Sequence, residues 1–303
     1  MPPFDLWTPD IFFETANTFA PCVAPEVIAV ARERYNLPAR TVAQSGGFEA
    51  NSKNFLLGDV LFKRLAGTAS VLASQLDIYQ SLASHGIAIP ALLQNSDGAV
   101  ITKHGDALWI AMEYIDGHFY AGSPHELEAM TAMVPRLFRV LRDYPHAALP
   151  EGFPVRPALR TPYTATRDFT FLGPDINELL VQCLPDIRHL SEHVAAQMPT
   201  WDYQQGVVHI DLHPRNLLWS HGRLYVLDFD SLQLQPPVIA LNFALYKMLR
   251  RCVMDGMSFQ ERVTQVCVHT GIARNALAAQ AEILFRLVSI LESSSPGGIS
   301  VWR

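Results

Sequence analysis

The chain has 303 residues, 49% of them hydrophobic and 17% charged, with a formal net charge of -6. That is ample apolar material for one large or two modest domains with a substantial core. No basic run or basic stripe with interleaved aromatics is present, which excludes nucleic acid as the expected partner, and no apolar run reaches the length of a transmembrane helix.

The four cysteines (Cys22, Cys183, Cys252 and Cys267) are scattered, with no CxxC or metal-ligand spacing. They read as buried thiols in a reducing compartment rather than as a disulfide framework. The opening residues Met1-Pro2-Pro3-Phe4-Asp5 lack the basic stretch of a secretory leader. The expectation is therefore a cytoplasmic protein with no membrane partner. Lysine is rare, with only Lys53, Lys63, Lys103 and Lys247, so each lysine invites a functional question.

Residues 1–36 carry helical spacing, most clearly from Pro25 to Tyr35, where Val27, Ile28, Val30 and Ala31 form an apolar face. Residues 40–65 read as strand, glycine loop, strand, turn, strand. Gly58-Asp59 suits a tight turn. The run from Ser45 through Lys53 is too long for one and is expected to cover something. Gly46 and Gly47, between Ser45 and Phe48, would let backbone N–H groups approach phosphate oxygens, although these residues alone would equally suit a plain hairpin. Lys63 lies on the third strand, flanked by Phe62 and Leu65, with Arg64 turned to the opposite, solvated face.

Thr68 to His85 reads as a helix closed by Gly86, with Leu72, Gln75, Leu76, Tyr79 and Leu82 on one face. Strands are expected at 91–94, 99–103 and 108–114, completing a mostly antiparallel sheet. Ser123-Pro124-His125-Glu126 is a capping box with proline at the first helical position, opening a helix to about Arg142. Residues 145–165 are proline-rich and irregular, and a second long helix is expected from Pro174 to Gln197. After Pro236-Pro237, helices are expected through Arg250-Arg251, near Ser258–Thr270 and over Asn275–Leu291.

The stretch from Gly206 to Ser231, GVVHIDLHPRNLLWSHGRLYVLDFDS, carries the chemistry. Two short apolar runs flank the turn Ser220-His221-Gly222, a hairpin pattern. Pairing them would bring Asp211, Asn216 and Asp228 towards one another. Two carboxylates and an amide suit phosphoryl transfer, in which a hard cation takes oxygen ligands and a separate carboxylate accepts the hydroxyl proton. A rival reading takes His209, Asp211 and His213, alternating along a strand, as transition-metal ligands of a hydrolase. Pro214 interrupts such a strand, and that reading leaves Asn216 and Asp228 unexplained.

His209-Ile210-Asp211-Leu212-His213-Pro214-Arg215-Asn216 resembles the H-G-D-x-H-x-x-N signature of the aminoglycoside phosphotransferase and choline kinase group of small-molecule kinases, with Ile210 in place of the usual glycine. Asp228-Phe229-Asp230 resembles that group's metal-binding segment. The resemblance implies an α+β, bilobal protein-kinase-like fold: an antiparallel sheet with helices over residues 1–117, and a mainly α-helical lobe over 118–303. It implies ATP and Mg²⁺ as cofactors and a hydroxylated small molecule as substrate.

By the same resemblance, Asp211 would be the catalytic base and Asn216 and Asp228 the metal ligands. Lys63 and the loop of Ser45, Gly46, Gly47 and Phe48 would hold the phosphates, and the backbone of Glu113 and Ile115 the adenine. His209, His213 and Asp230 would have accessory roles. Gln75 stands where such kinases carry a glutamate that pairs with the strand lysine. A glutamine can instead accept a hydrogen bond from Lys63, or Asp77 can substitute after a shift in register. The departure leaves a catalytically silent nucleotide-binding module as the alternative. No DFG or APE segment follows, which disfavours a protein kinase. The acceptor, the choice of ATP or GTP, and monomer or homodimer are not fixed by these residues.

Overall fold

The computed structural model describes residues 19–38, 41–45, 53–144, 149, 174–197, 205–249, 259–273, 275, 277–282 and 284. It is a mixed α+β structure with a sheet-rich lobe and a mainly helical one.

The first lobe is built on a seven-stranded sheet. Its strands are β1 (Phe19–Cys22), β2 (Val42–Ser45), β3 (Asn54–Leu57), β4 (Val60–Leu65), β5 (Leu92–Leu93), β6 (Thr102–His104) and β7 (Ala107–Glu113). The spatial order is β1-β2-β3-β4-β7-β5, with β6 also pairing β7. Every pairing is antiparallel. Two helices accompany it, α1 (Pro25–Tyr35) and α2 (Ala69–Ser84).

Strand alternation sorts β4 between two cores. Phe62 faces α1, joining Val27, Val30, Trp109 and Ala111. Leu65 faces the opposite way, joining Leu76, Tyr79 and Ile110 in the larger core shared with the helical lobe. Arg64 turns towards α1 and lies 3.6 Å from Glu26. Lys63, two residues before Leu65, therefore points at the second lobe, because the side-chain period of a strand is two.

The second lobe contains α3 (Pro124–Arg142), α4 (Pro174–Gln197), α5 (Pro237–Leu249) and α6 (Phe259–Thr270). The capping box of α3 forms as read: the Ser123 hydroxyl accepts from Glu126 N–H, and the Glu126 carboxylate accepts from Ser123 N–H at 2.8 Å. Two small sheets lie against these helices. One is the hairpin β10 (Leu217–Ser220) and β11 (Arg223–Val226), extended by β8 (His118–Phe119). The other pairs β9 (Gly206–His209) with β12 (Leu232–Gln235). The hairpin turn has positive φ at both central residues, 48° at His221 and 75° at Gly222, the geometry that matches strand twist. Among the described residues, no helix is long and apolar enough to cross a membrane.

Four strands depart from the sequence expectation. β1 lies in a stretch read as helical, while β8, β9 and β12 were not anticipated. Each is two to four residues long and paired only across the fold, so no local alternation announces it. The strand expected over 91–94 is only Leu92–Leu93, and that expected over 99–103 is Thr102–His104. The irregular region 145–165, apart from Leu149, and parts of the last three predicted helices, Arg250 and Arg251 among them, lie outside the described residues.

Candidate active site

The site lies where the ends of β9, β10 and β11 meet the Lys63 face of the sheet. β9 ends at His209, and the chain turns through Asp211 into a short 3₁₀ turn, Pro214–Asn216. β11 ends at Val226, and a second 3₁₀ turn, Phe229–Ser231, leads into β12. Backbone bonds stitch the two loops together: Ile210 N–H donates to Ser231 O at 3.0 Å, and Leu227 N–H donates to Asn216 O at 2.9 Å. The segments carrying Asp211 and Asp228 are thus adjacent, although 17 residues separate them.

Asp228 adopts the left-handed conformation, φ 65° and ψ 59°. A residue with a Cβ pays roughly 1 kcal/mol or more for this, and the strain turns its carboxylate towards the sheet. There Lys63 Nζ bonds both Asp228 Oδ1 and Asp230 Oδ1, while the Ser231 hydroxyl donates to Asp228 Oδ2. The ammonium also lies 5.6 Å from the centre of the Phe229 ring. Burial alone would lower the Lys63 pKa, but the two carboxylates outweigh it and raise it. Burial likewise favours a neutral Asp228, and the Lys63 charge overcomes that to hold its carboxyl well below the usual range. Asp230 moves the other way, pushed up to about 6 by burial and by the Asp228 charge against the pull of Lys63. One cation thus faces two acids.

Asp211 is held at three points. Lys247 Nζ donates to its Oδ1 at 2.9 Å. His213 Nε2 lies 3.3 Å from its Oδ2. The backbone carbonyl of Asp211 accepts from the Asn216 side-chain amide at 2.8 Å. His213 Nδ1 accepts from Arg215 N–H at 3.1 Å, which leaves the ring proton on Nε2, aimed at the carboxylate. His209 is buried and bonds Leu227 O through Nε2 at 2.9 Å. Burial lowers its pKa against the charges of Asp228 and Asp211, so it is a neutral brace between the loops. His209, Asp211 and His213 do not form a metal cluster: among the described residues, no group of three His, Cys, Asp or Glu side chains has the geometry of one.

Gln75 corrects a specific expectation. It does not accept a bond from Lys63. Its amide nitrogen donates to Asp230 O at 3.0 Å and to Leu232 O at 2.9 Å. Asp77 does not replace it, because its carboxylate accepts from the Tyr144 hydroxyl. Helix α2 therefore holds the 229–231 turn rather than the lysine. Tyr79, one turn on, adds a bond from its hydroxyl to Val226 O at 2.7 Å.

A family model described as phosphotransferase enzyme family matches residues 47–263, more than half of the chain. The chain belongs to this phosphotransferase family. No curated protein matches it individually. Among solved structures, the phosphotransferase is similar to a spectinomycin phosphotransferase in complex with ADP and spectinomycin, with TM-score 0.65 and 13% identity over 90% of this chain and 88% of that one. It is similar to an aminoglycoside phosphotransferase from Alicyclobacillus acidocaldarius, with TM-score 0.62 and 14% identity over 94% and 89%. It is also similar to a choline kinase from Streptococcus pneumoniae, with TM-score 0.53 and 14% identity over 88% and 86%. At such identities these likenesses establish the protein-kinase-like fold.

Of the residues singled out in the sequence, Lys63, Asp228 and Asp230 come together directly. Asp211, His213 and Asn216 form an adjoining group, and His209 sits between the two. Gln75 touches the group from behind. Ser45 ends β2, and Gly46, Gly47 and Phe48 lie outside the described residues. Glu113 ends β7, its N–H donating to Ala91 O at 2.8 Å, and Ile115 is buried just beyond. Lys247 was missed as a site residue. The pointer to it was present, since lysine is scarce in this chain, but nothing local ties a helix 36 residues downstream to Asp211.

Proposed function

We propose that this phosphotransferase transfers the γ-phosphate of ATP to a hydroxyl of a small molecule. The observation that carries the reading is Lys63, which reaches from the sheet to Asp228 and Asp230 while the Asp211 loop is bonded alongside. Phosphoryl transfer needs little covalent help from the protein. It needs reactants in line and charge neutralised.

In this reading Lys63 and the 45–48 loop hold the phosphate chain, and the backbone of Glu113 and Ile115 holds the base. The boundary between the lobes falls near Gly117, between residues 1–117 and 118–303. Asp211 orients the acceptor hydroxyl and takes its proton as the acceptor oxygen bonds to phosphorus and ADP leaves. His209 and His213 keep the Asp211 loop in place.

The donor set fits magnesium, a hard cation that prefers oxygen. Asp228 offers a carboxylate. Asn216 has committed its amide nitrogen to Asp211 O, which leaves its amide oxygen for the ion, and Asp230 is the accessory carboxylate. Two acids facing one lysine leave a net negative charge for the ion to balance. Bound there, magnesium would neutralise the phosphate charge. Family membership and the nucleotide in a structural neighbour support the reading. The acceptor is a hydroxylated small molecule, as the spectinomycin bound by that neighbour is for its own enzyme.

The test is Asp211→Ala in the full chain. Product and ADP formation from ATP–Mg²⁺ should fall by at least about 100-fold, the usual worth of a general base, while the thermal shift caused by ATP–Mg²⁺ persists. Full activity in the variant would refute the assignment. The position of Gln75, which leaves Lys63 without a helix carboxylate, favours the second reading, a silent nucleotide-binding module. A wild-type protein stabilised by ATP–Mg²⁺ that forms no ADP with any hydroxylated acceptor would select it.

A further inference from the structure

The helix α5 reads PVIALNFALYKML, and Lys247 is its one charged residue. Leu241, Phe243, Ala244, Leu245 and Met248 of the same helix are buried. A lysine emerging from such a helix places an ammonium against apolar surface, which is unfavourable unless the charge is paired. Its side chain is only 13% exposed. The ammonium lies 4.2 Å from the centre of the Phe243 ring, one turn back, and donates to Asp211 Oδ1 at 2.9 Å.

We infer that Lys247 is a positioning residue for Asp211, supplied by a helix of the second lobe rather than by the loop that carries the aspartate. This rests on the proposed role of Asp211 and adds to it. The aspartate follows the end of β9, in a stretch with no ladder to fix its side chain. Lys247 restrains one carboxylate oxygen and His213 faces the other, with the two restraints coming from different elements. Asn216 holds the main chain beneath. The carboxylate that must meet the acceptor hydroxyl therefore has a single orientation before the acceptor arrives. Misplacement of a reacting group by about 1 Å costs on the order of 100-fold in rate, so a side chain that never touches substrate can govern turnover through this contact.

The experiment compares wild type with Lys247→Met, whose straight apolar chain fills the same space, and with Lys247→Arg, which keeps the charge. The full chain is assayed with ATP–Mg²⁺, first with water as acceptor and then with the most active alcohol from a panel of hydroxylated metabolites. In Lys247→Met, kcat should fall about 10- to 100-fold, with KM for ATP within about twofold, because nucleotide contacts are elsewhere; Lys247→Arg should recover most of the loss. A purely structural ion pair would instead lower the melting temperature and leave kcat unchanged at temperatures well below it. Unchanged kcat in Lys247→Met, or equal losses in the Met and Arg variants, would overturn the inference while leaving the phosphotransfer reading intact. Should Lys247→Met not fold, Lys247→Gln is read by the same criteria. Wild type that forms no ADP with either acceptor would overturn both.

Discussion

Replacing Gln75 by glutamate supplies the carboxylate that kinases of this fold commonly pair with the strand lysine, yet here it should destabilise the protein. Gln75 is 3% exposed, and its amide nitrogen donates to two backbone carbonyls, Asp230 O and Leu232 O. A carboxylate has no hydrogen to donate. The variant loses two hydrogen bonds, leaves two carbonyls short of a donor, and faces them with a buried negative charge, while Lys63 is already engaged by Asp228 and Asp230. Two lost bonds at about 1 kcal/mol each, together with a poorly compensated buried charge, sum to about 3–5 kcal/mol. At roughly 2–4 °C per kcal/mol for a protein of this size, Gln75→Glu should melt about 10 °C below wild type at pH 7 without nucleotide. Gln75→Leu, which loses the bonds without adding charge, should fall about half as far, on the order of 2 kcal/mol. Thermal unfolding followed by circular dichroism reads both. A Gln75→Glu protein melting at or above the wild-type temperature would show that the new carboxylate had found Lys63, and would refute the argument.

Asp230 makes stability depend on pH in an unusual direction. Its folded-state pKa, raised to about 6 by burial and by Asp228, exceeds the roughly 4 expected of an unfolded aspartate. The folded state therefore binds this proton more tightly, and the contribution of Asp230 to stability grows as pH falls through about 6. Asp230→Asn should flatten urea-unfolding free energies between pH 7 and pH 5; an unchanged slope would contradict the assignment. Asp228 works in the opposite sense, because Lys63 holds its pKa low despite burial, and its contribution is lost only as pH falls below about 4. Gly117 lies so close to the Trp219 carbonyl that an added Cβ would strike it. Gly117→Ala should cost about 1–3 kcal/mol by moving the β8–β10 pairing, and a variant with wild-type unfolding in urea would count against that close approach.

Much of this protein is legible from local pattern. The helices Pro25–Tyr35 and Pro174–Gln197 follow from local spacing, and Pro124–Arg142 also from the capping box at Ser123. The hairpin Leu217–Val226 follows from two short apolar runs around a turn that tolerates positive φ. The nearness of Asp211, Asn216 and Asp228 was readable from residue types at fixed spacing about a hairpin, whereas Lys63 was singled out by its strand position, the scarcity of lysine and the family resemblance. The strands β1, β8, β9 and β12 were not legible, because each is short and stabilised by partners distant in sequence.

What the amino-acid sequence determined by itself is the family, the order of the main elements, and the set of oxygen-bearing and cationic side chains available for phosphoryl transfer. Only the tertiary structure decided how the charges are shared: Lys63 bridges Asp228 and Asp230, Gln75 holds backbone rather than the lysine, and Lys247 reaches across to Asp211. The physical reason is range. Helix and hairpin propensities act over a few residues, whereas the partner of a partly buried charge is whichever opposite group the packed chain brings within about 3 Å, here across separations of 36 and 165 residues.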